Sequence, residues 1–295
     1  ITPLTNPTST ILFKILIALK TRNPIIISPH GAARKSSIEA AKICYEAAIE
    51  AGAPENSIQW IKRASKDEIL EFMAHRKTAM ILATGSVKLV NAAYSSGNPA
   101  IGVGPGNVPV FVGKTADIDF TVEQIIKSKT FDNGTVCASE QALVLQKFNA
   151  VQVIEKLKQH KAYFMFEDEI EKLEKIAFNK HEKVMNAAVI GQSAYKIAQM
   201  AGFNVPEDTT VLIAQLDEVG IQSPLSLEIL APILALYVVE DLEEAIQKCK
   251  EINIHGGLGH TVSIFSNDPE RINYFASQMN AGRVIVNTPS SQGAL

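Results

Sequence analysis

ALVLQKFNAVQVIEKLKQH, residues 142–160, sets an apolar strand over 142–145 just ahead of a helix over 149–160. A short apolar run followed by a longer helical segment is the repeating unit of a parallel sheet, whose strands need long crossovers. The same alternation runs outward in both directions. Toward the N-terminus, Thr8-Ser9-Thr10 can cap a helix with Ile11, Leu12, Ile15, Leu16 and Leu19 at helical spacing. A strand over 24–28 follows, then an Ala-rich helix over 36–51 stopped by Gly52 and Pro54. Next come a strand over 79–83, a helix over 87–95, strands over 100–103 and 108–112, and a helix over 117–129. Toward the C-terminus the pattern predicts helices over 167–178, 194–201, 242–252 and 269–279. It places strands over 187–190, 210–214, 233–239, 261–265 and 283–287. This is an α/β chain with helices on both faces of parallel sheets. The Gly/Pro-rich stretch 97–106 marks the domain boundary, dividing 1–106 from 107–295.

Composition narrows the function classes. The 295 residues are enough for two domain-sized cores, with 46% hydrophobic and 20% charged residues as in ordinary globular proteins. A net charge of −3 with scattered Lys and Arg argues against nucleic-acid binding. Three widely spaced cysteines make no disulfide framework and point to a reducing compartment. No apolar run reaches the ~18 residues of a membrane span. The start, ITPLTNPTST, lacks both a basic leader region and an initiator Met, and reads as the beginning of a fragment.

In open α/β sheets ligands lie beyond the carboxyl ends of strands, and the unusual residues fall there. Thr84-Gly85-Ser86 ends a strand and opens a helix, where free N–H groups can take a phosphate or simply be capped. Gly102-x-Gly104-x-Gly106 leads into a strand, so it is not a dinucleotide fingerprint; its use is a close backbone approach, to a cofactor ring or another strand. Asn6 is either a turn residue or an oxyanion donor. Glu228 is a lone acid in an apolar run, facing solvent or a ligand hydroxyl. His260, flanked by Gly259 and Thr261, has room to meet a ligand. His30, His75, His160, His181 and His255 have no metal-ligand spacing, and no metal site is read. Cys44 and Cys249 sit inside helices and look structural. Cys137, in FDNGTVCASEQ (131–141), has small neighbours on a loop, which leaves it open between an approachable nucleophile and a small buried side chain.

Six strings carry a resemblance: TNPTST (5–10), LKTRNPIIISPH (19–30), AYSSGNPAIGVGPGNVPV (93–110), SKTFDNGTVCASEQ (128–141), GGLGHT (256–261) and NTPSSQGA (287–294). In order and over essentially the whole chain, they closely resemble the CoA-acylating branch of the aldehyde dehydrogenase superfamily. The nearest likeness is to the aldehyde dehydrogenase half of bifunctional aldehyde/alcohol dehydrogenases. The resemblance implies an aldehyde dehydrogenase-like fold of two three-layer α/β/α units with mostly parallel sheets. Residues 1–106 would belong to the NAD-binding domain, whose N-terminal portion is missing, and 107–295 to the catalytic domain.

The same resemblance implies roles for residues. Cys137 matches the nucleophile, Asn6 the oxyanion-stabilising asparagine, and His260 a histidine that assists acyl transfer. Ile1, Thr2, Pro3, Leu4, Thr5 and Asn6, with Ser28, Pro29, Thr84, Gly85, Ser86 and Gly104, match positions lining the NAD pocket. Glu228 matches the glutamate that holds the nicotinamide ribose. Hydrolytic members carry a Glu-Leu-Gly-Gly string whose Glu activates water; here the aligned residues are Val103-Gly104-Pro105-Gly106, without an acid. A thiol such as CoA is then expected to take the acyl group, with hydrolysis to a free acid as the alternative. Ser28-Pro29-His30 replaces the lysine that hydrolytic members use. Thr135 and Leu230 depart from the apolar residue and the Ser expected in the acylating branch. The expected partners are an aldehyde or acyl-CoA and NAD, in a cytoplasmic, fermentative homo-oligomer.

Overall fold

The computed structural model describes residues 1–179 and 184–293, which divide into two compact units, Ile1–Gly104 and Pro105–Leu295. His181 lies outside the described residues. In the first unit, helix α1 (Pro7–Lys20) begins two residues earlier than the hydroxyl-rich cap predicts. Pro7 has the fixed φ that suits the first helical position, so Asn6 becomes the cap residue. The Ser9 and Thr10 hydroxyls instead donate back to the Asn6 carbonyl. Strand β1 (Ile25–Ile27), helix α2 (Arg34–Glu50) and strand β2 (Ile58–Trp60) follow. β1 and β2 pair in parallel over a core of Ile11, Ile15, Ile27, Ala41, Ala48 and Ile58, with Cys44 packed at its margin. Helix α3 (Lys66–Ala74) opens with a reciprocal Ser65/Glu68 cap. Strand β3 (Ile81–Thr84), helix α4 (Val87–Tyr94) and strand β4 (Ala100–Val103) complete the unit, with β3 and β4 again parallel. The described strands of this unit form two separate parallel pairs.

The second unit contains β5 (Val108–Val112), α5 (Ile118–Thr130), β6 (Glu140–Gln146), α6 (Lys147–Gln159), β7 (Tyr163–Phe164), α7 (Glu167–Ala177), β8 (Phe178–Asn179) and β9 (Val184–Met185). It continues with α8 (Ala194–Ala201), β10 (Leu212–Gln215), β11 (Ile233–Val239), α9 (Leu242–Ile254), β12 (Thr261–Phe265), α10 (Pro269–Gln278), β13 (Arg283–Val286) and α11 (Ser290–Gly293). Seven strands form one sheet in the order β13-β12-β5-β6-β11-β10-β7, with every pairing parallel. Val110, Val112, Leu143 and Leu145 pack with Val122, Ile125, Val153 and Leu157 of α5 and α6. Phe111, Ala142 and Val144 face Ile246, Cys249 and Ile252 of α9 and Phe275 of α10. Burial on both faces explains why these strands read as continuous apolar runs rather than alternating ones. Each fully buried Leu, Val or Phe contributes roughly 1.5–3 kcal/mol.

Two local departures matter. The strand predicted over 187–190 is a turn. The Asn186 side chain accepts from Ala188 N–H at 3.0 Å and donates to the Ile176 carbonyl at 2.8 Å, closing the chain where its apolar residues suggested extension. The pairing of β5 with β6 skips a residue: Val108 faces Glu140 but Pro109 faces Ala142, leaving Gln141 as the extra residue of a bulge. Pro109 has no N–H to give to the ladder, which suits it to such a break.

Candidate active site

The second unit gathers its unusual residues around Gly106, just ahead of β5. Asn107 fixes this turn from below, its buried carboxamide donating to the carbonyls of Ser226 (2.9 Å) and Ile252 (3.0 Å). A side chain has no room at Gly106. A Cβ there would stand 2.2 Å from the carbonyl oxygen of Cys137 and 3.0 Å from the ring of His260. The Gly106 N–H donates to Glu228 Oε1 at 2.7 Å. One glycine therefore touches the segments bearing Cys137, His260 and Glu228. The close approach anticipated for the glycine run is, at Gly106, an approach to the cysteine loop, and at Gly102 to Val90 and Tyr94 of α4.

Cys137 follows a turn in which Asp132 and Asn133 both take positive φ (49° and 48°). Asn133 donates to the Gly191 carbonyl, and the Thr135 hydroxyl donates to Asp132 at 2.6 Å, so polar bonds hold this unusual backbone. Burial, reinforced by the Glu228 charge, raises the Cys137 thiol to about 11, against a pull downward from Arg283. Burial also lifts the Glu228 carboxyl to about 7, opposed by the Gly106 N–H and by Lys129. Glu228 is part-buried, with its carboxyl turned to the Gly106 N–H. Among the described residues its hydrogen bond runs through Oε1. His260 is lowered to about 4 by burial and then by Arg283, and its Nδ1 shares a hydrogen bond with Thr261 Oγ1 at 3.0 Å. Its imidazole is neutral at physiological pH.

The neutral ring has a consequence for acid stability. An unfolded histidine takes its proton near pH 6.5, whereas His260 in the fold resists protonation down to about pH 4. The unfolded chain binds more protons in that window, so stability falls as pH drops from 6.5 to 4. In His260→Asn the melting temperature is expected to fall less over that range, as followed by thermal unfolding at half-unit pH steps. An unchanged pH profile would contradict it.

The first unit carries the other predicted residues. Thr2 N–H donates to the Ser28 carbonyl at 3.1 Å, and Thr84 N–H to the Ile1 carbonyl at 3.3 Å. Ile1 and Thr2, ahead of Pro3, Leu4 and Thr5, thus lie by the carboxyl ends of β1, which leads to Ser28 and Pro29, and of β3, which leads to Gly85 and Ser86. Ser86 caps α4 through Leu89 N–H, and Gly85 takes φ 154°. Gly104 has open space where a Cβ would point. Asn6 adopts φ 50° at the start of α1, and its side chain makes no cap bond, which leaves the carboxamide available. Among the described residues no cluster of three or more His, Cys, Asp or Glu could hold a metal ion. No described helix is long and apolar enough to cross a membrane.

Sequence reasoning passed over Lys129, Glu140 and Gln141, all buried and all within the cysteine string. Their signal was present: three charged or amide side chains flank a loop whose neighbours are small or apolar. A helical Lys followed by Thr reads as a surface residue until the fold buries it.

A model of the aldehyde dehydrogenase family matches residues 1–294. The bifunctional aldehyde-alcohol dehydrogenase of Escherichia coli is 45% identical over all of this chain, which spans 33% of that relative. An acetylating aldehyde dehydrogenase from Geobacillus thermoglucosidasius superposes with a TM-score of 0.95 at 47% identity. That match covers 99% of this chain and 64% of the solved one. Propionaldehyde dehydrogenase of Rhodopseudomonas palustris, solved with bound CoA and an acylated cysteine, matches 99% of this chain and 66% of its own, at 28% identity and a TM-score of 0.89.

Proposed function

The chain belongs to the aldehyde dehydrogenase family, and from that premise we propose that its second unit holds the nucleophile of a CoA-acylating enzyme. The reaction is the interconversion of a short-chain aldehyde, CoA and NAD with acyl-CoA and NADH. The observation that carries this reading is the grouping around Gly106. It joins the segments of a cysteine, a histidine and a ribose-ready glutamate, while the stretch where hydrolytic members place a water-activating acid offers only Val103, Gly104, Pro105 and Gly106.

In this reading the Cys137 thiol gives up its proton to solvent, and the sulfur adds to the aldehyde carbon and gives a thiohemiacetal. The family likeness gives the oxyanion-stabilising role to Asn6, whose side chain makes no cap bond; such a donor contributes about 2.7–4 kcal/mol in comparable sites. Bound NAD supplies the hydride acceptor. Glu228, with one oxygen held by Gly106 N–H, would hold NAD through a ribose hydroxyl. Ile1, Thr2, Pro3, Leu4, Thr5, Ser28, Pro29, Thr84, Gly85, Ser86 and Gly104 would hold the nucleotide in the first unit, where a Cβ on Gly104 meets nothing within 4 Å. Loss of hydride leaves a thioester on Cys137, and the sulfur of CoA attacks its carbonyl to release acyl-CoA and restore the thiol. His260, neutral and tied to Thr261, accepts a hydrogen bond from the incoming thiol and orients it; a group lowered to about 4 is too weak a base to hold that proton.

The relatives' names support CoA as acyl acceptor, and the family likeness supports NAD, a homo-oligomer and a fermentative role in the cytoplasm. The test is NADH formation from acetaldehyde and NAD by the full-length protein, with and without CoA. Sustained turnover only with CoA is expected. Equal turnover without it would return the site to hydrolytic oxidation.

A further inference from the structure

The His260 ring is gripped from the paired strands β12 and β13 by two residues that carry no reacting group in the proposed chemistry. Thr261 opens β12 and stands directly opposite Arg283 of β13. Its hydroxyl oxygen accepts from Arg283 Nε at 3.3 Å and shares a hydrogen bond with His260 Nδ1 at 3.0 Å. Thr261 is fully buried, and His260 is buried beside it. One threonine oxygen therefore lies between a guanidinium and an imidazole.

The backbone leaves this arrangement little freedom. His260 N–H donates to the Gly257 carbonyl at 2.9 Å, and the His260 carbonyl accepts from Arg283 N–H at 3.2 Å. One residue earlier on each strand, Gly282 N–H donates to the Gly259 carbonyl at 3.1 Å. On its other side the ring meets Gly106: a Cβ there would stand 3.0 Å from both Cε1 and Nδ1. The Nδ1 edge of the ring is thus set between Thr261 and the turn that touches the Cys137 carbonyl, with Nε2 on the opposite edge.

A guanidinium can only donate, so Arg283 takes one lone pair of the Thr261 oxygen and a second remains for the ring. When Nδ1–H donates to that second lone pair, the ring proton sits on Nδ1 and Nε2 presents a lone pair. The reverse polarity, hydroxyl onto Nδ1, would put the proton on Nε2. There it would meet the S–H of an incoming thiol donor to donor.

We propose that Thr261, itself braced by Arg283, is a positioning residue that fixes the tautomer of His260: it takes the Nδ1 proton and leaves Nε2 to accept from the thiol of the acyl acceptor. The role rests on the proposed function and concerns its second half. There the acyl carbon exchanges its bond to the Cys137 sulfur for one to the CoA sulfur, and the thiol proton of CoA ends on Cys137. The first half, which forms the thioester and NADH, does not call on the ring.

The experiment is stopped-flow NADH absorbance on the full-length protein with acetaldehyde and NAD, first without CoA and then over a range of CoA concentrations. Thr261→Val removes the oxygen and keeps the shape. Its NADH burst without CoA should match the parent's within about twofold, while kcat/KM for CoA falls about tenfold. Thr261→Ser keeps the oxygen and should recover most of that loss. Added to His260→Asn, Thr261→Val should lower kcat/KM for CoA no further. Equal losses in the burst and in the CoA step would mean mere loosening of the strand pair and would overturn the proposal. So would a serine variant no better than the valine one, or a Thr261→Val loss undiminished beside His260→Asn. A parent that turns over equally without CoA would overturn the proposed reaction and this role together. A parent that needs CoA, beside a Thr261→Val variant that matches it, would overturn the role alone.

Discussion

Replacing Cys137 by serine is expected to lower CoA-dependent NADH formation about a thousandfold or more, with the melting temperature moved by no more than a degree or two. The kinetic loss follows from the atom exchanged. A serine hydroxyl in this buried setting, beside Glu228, ionises far less readily than the thiol it replaces, and His260 is too weak a base to assist it. The stability is preserved because the loop does not depend on the sulfur. It is held by Thr135 on Asp132, by Asn133 on the Gly191 carbonyl and by Ser139 N–H on the Val136 carbonyl. Stopped-flow NADH absorbance and calorimetry on the same preparation check both halves. Residual turnover within tenfold of the parent would remove Cys137 from the chemistry, whatever the family likeness suggests.

Gly106→Ala should be the most damaging change of a single methyl group in the second unit. Its Cβ would be driven to 2.2 Å from a backbone oxygen, an obstacle that cannot rotate away, and to 3.0 Å from the His260 ring. The strand entry must shift, and with it the N–H that holds Glu228. A cost of about 1–3 kcal/mol in stability is expected. A displacement near 1 Å at a reacting centre carries about a hundredfold loss in kcat/KM. Gly104→Ala is the control, since a Cβ there meets nothing within 4 Å, and its unfolding midpoint in urea should match the parent's. Equal behaviour of the two variants would show that the crowding at Gly106 is relieved by small motions and does not organise the site.

What could be read in the sequence followed from how deeply each segment is buried. β11, β12 and α8 match the predicted bounds residue for residue, because a buried strand or a capped amphipathic helix announces itself in apolar runs. β2 and β7 were invisible, at three and two residues too short to show a period. The false strand over 187–190 shows local polar chemistry winning: Asn186 closes a turn that the apolar residues around it did not forbid. Within the site, Cys137, Glu228 and His260 stood out by being out of place among their neighbours. Lys129 and Gln141 did not. A lysine on a helix and a glutamine at a strand entry are ordinary in any sequence, and only the bulge at Pro109 and the packing of Gly134 turn them inward.

The depressed acidity of the Cys137 thiol also bears on how long the protein lasts. Peroxide attacks thiolates rather than thiols, and the resulting sulfenic acid is the first rung toward irreversible oxidation. A thiol kept protonated by burial and by the Glu228 charge presents little to attack. The same raised thiol that makes Cys137 slow to ionise is therefore expected to make it slow to oxidise, even though the residue is only part-buried.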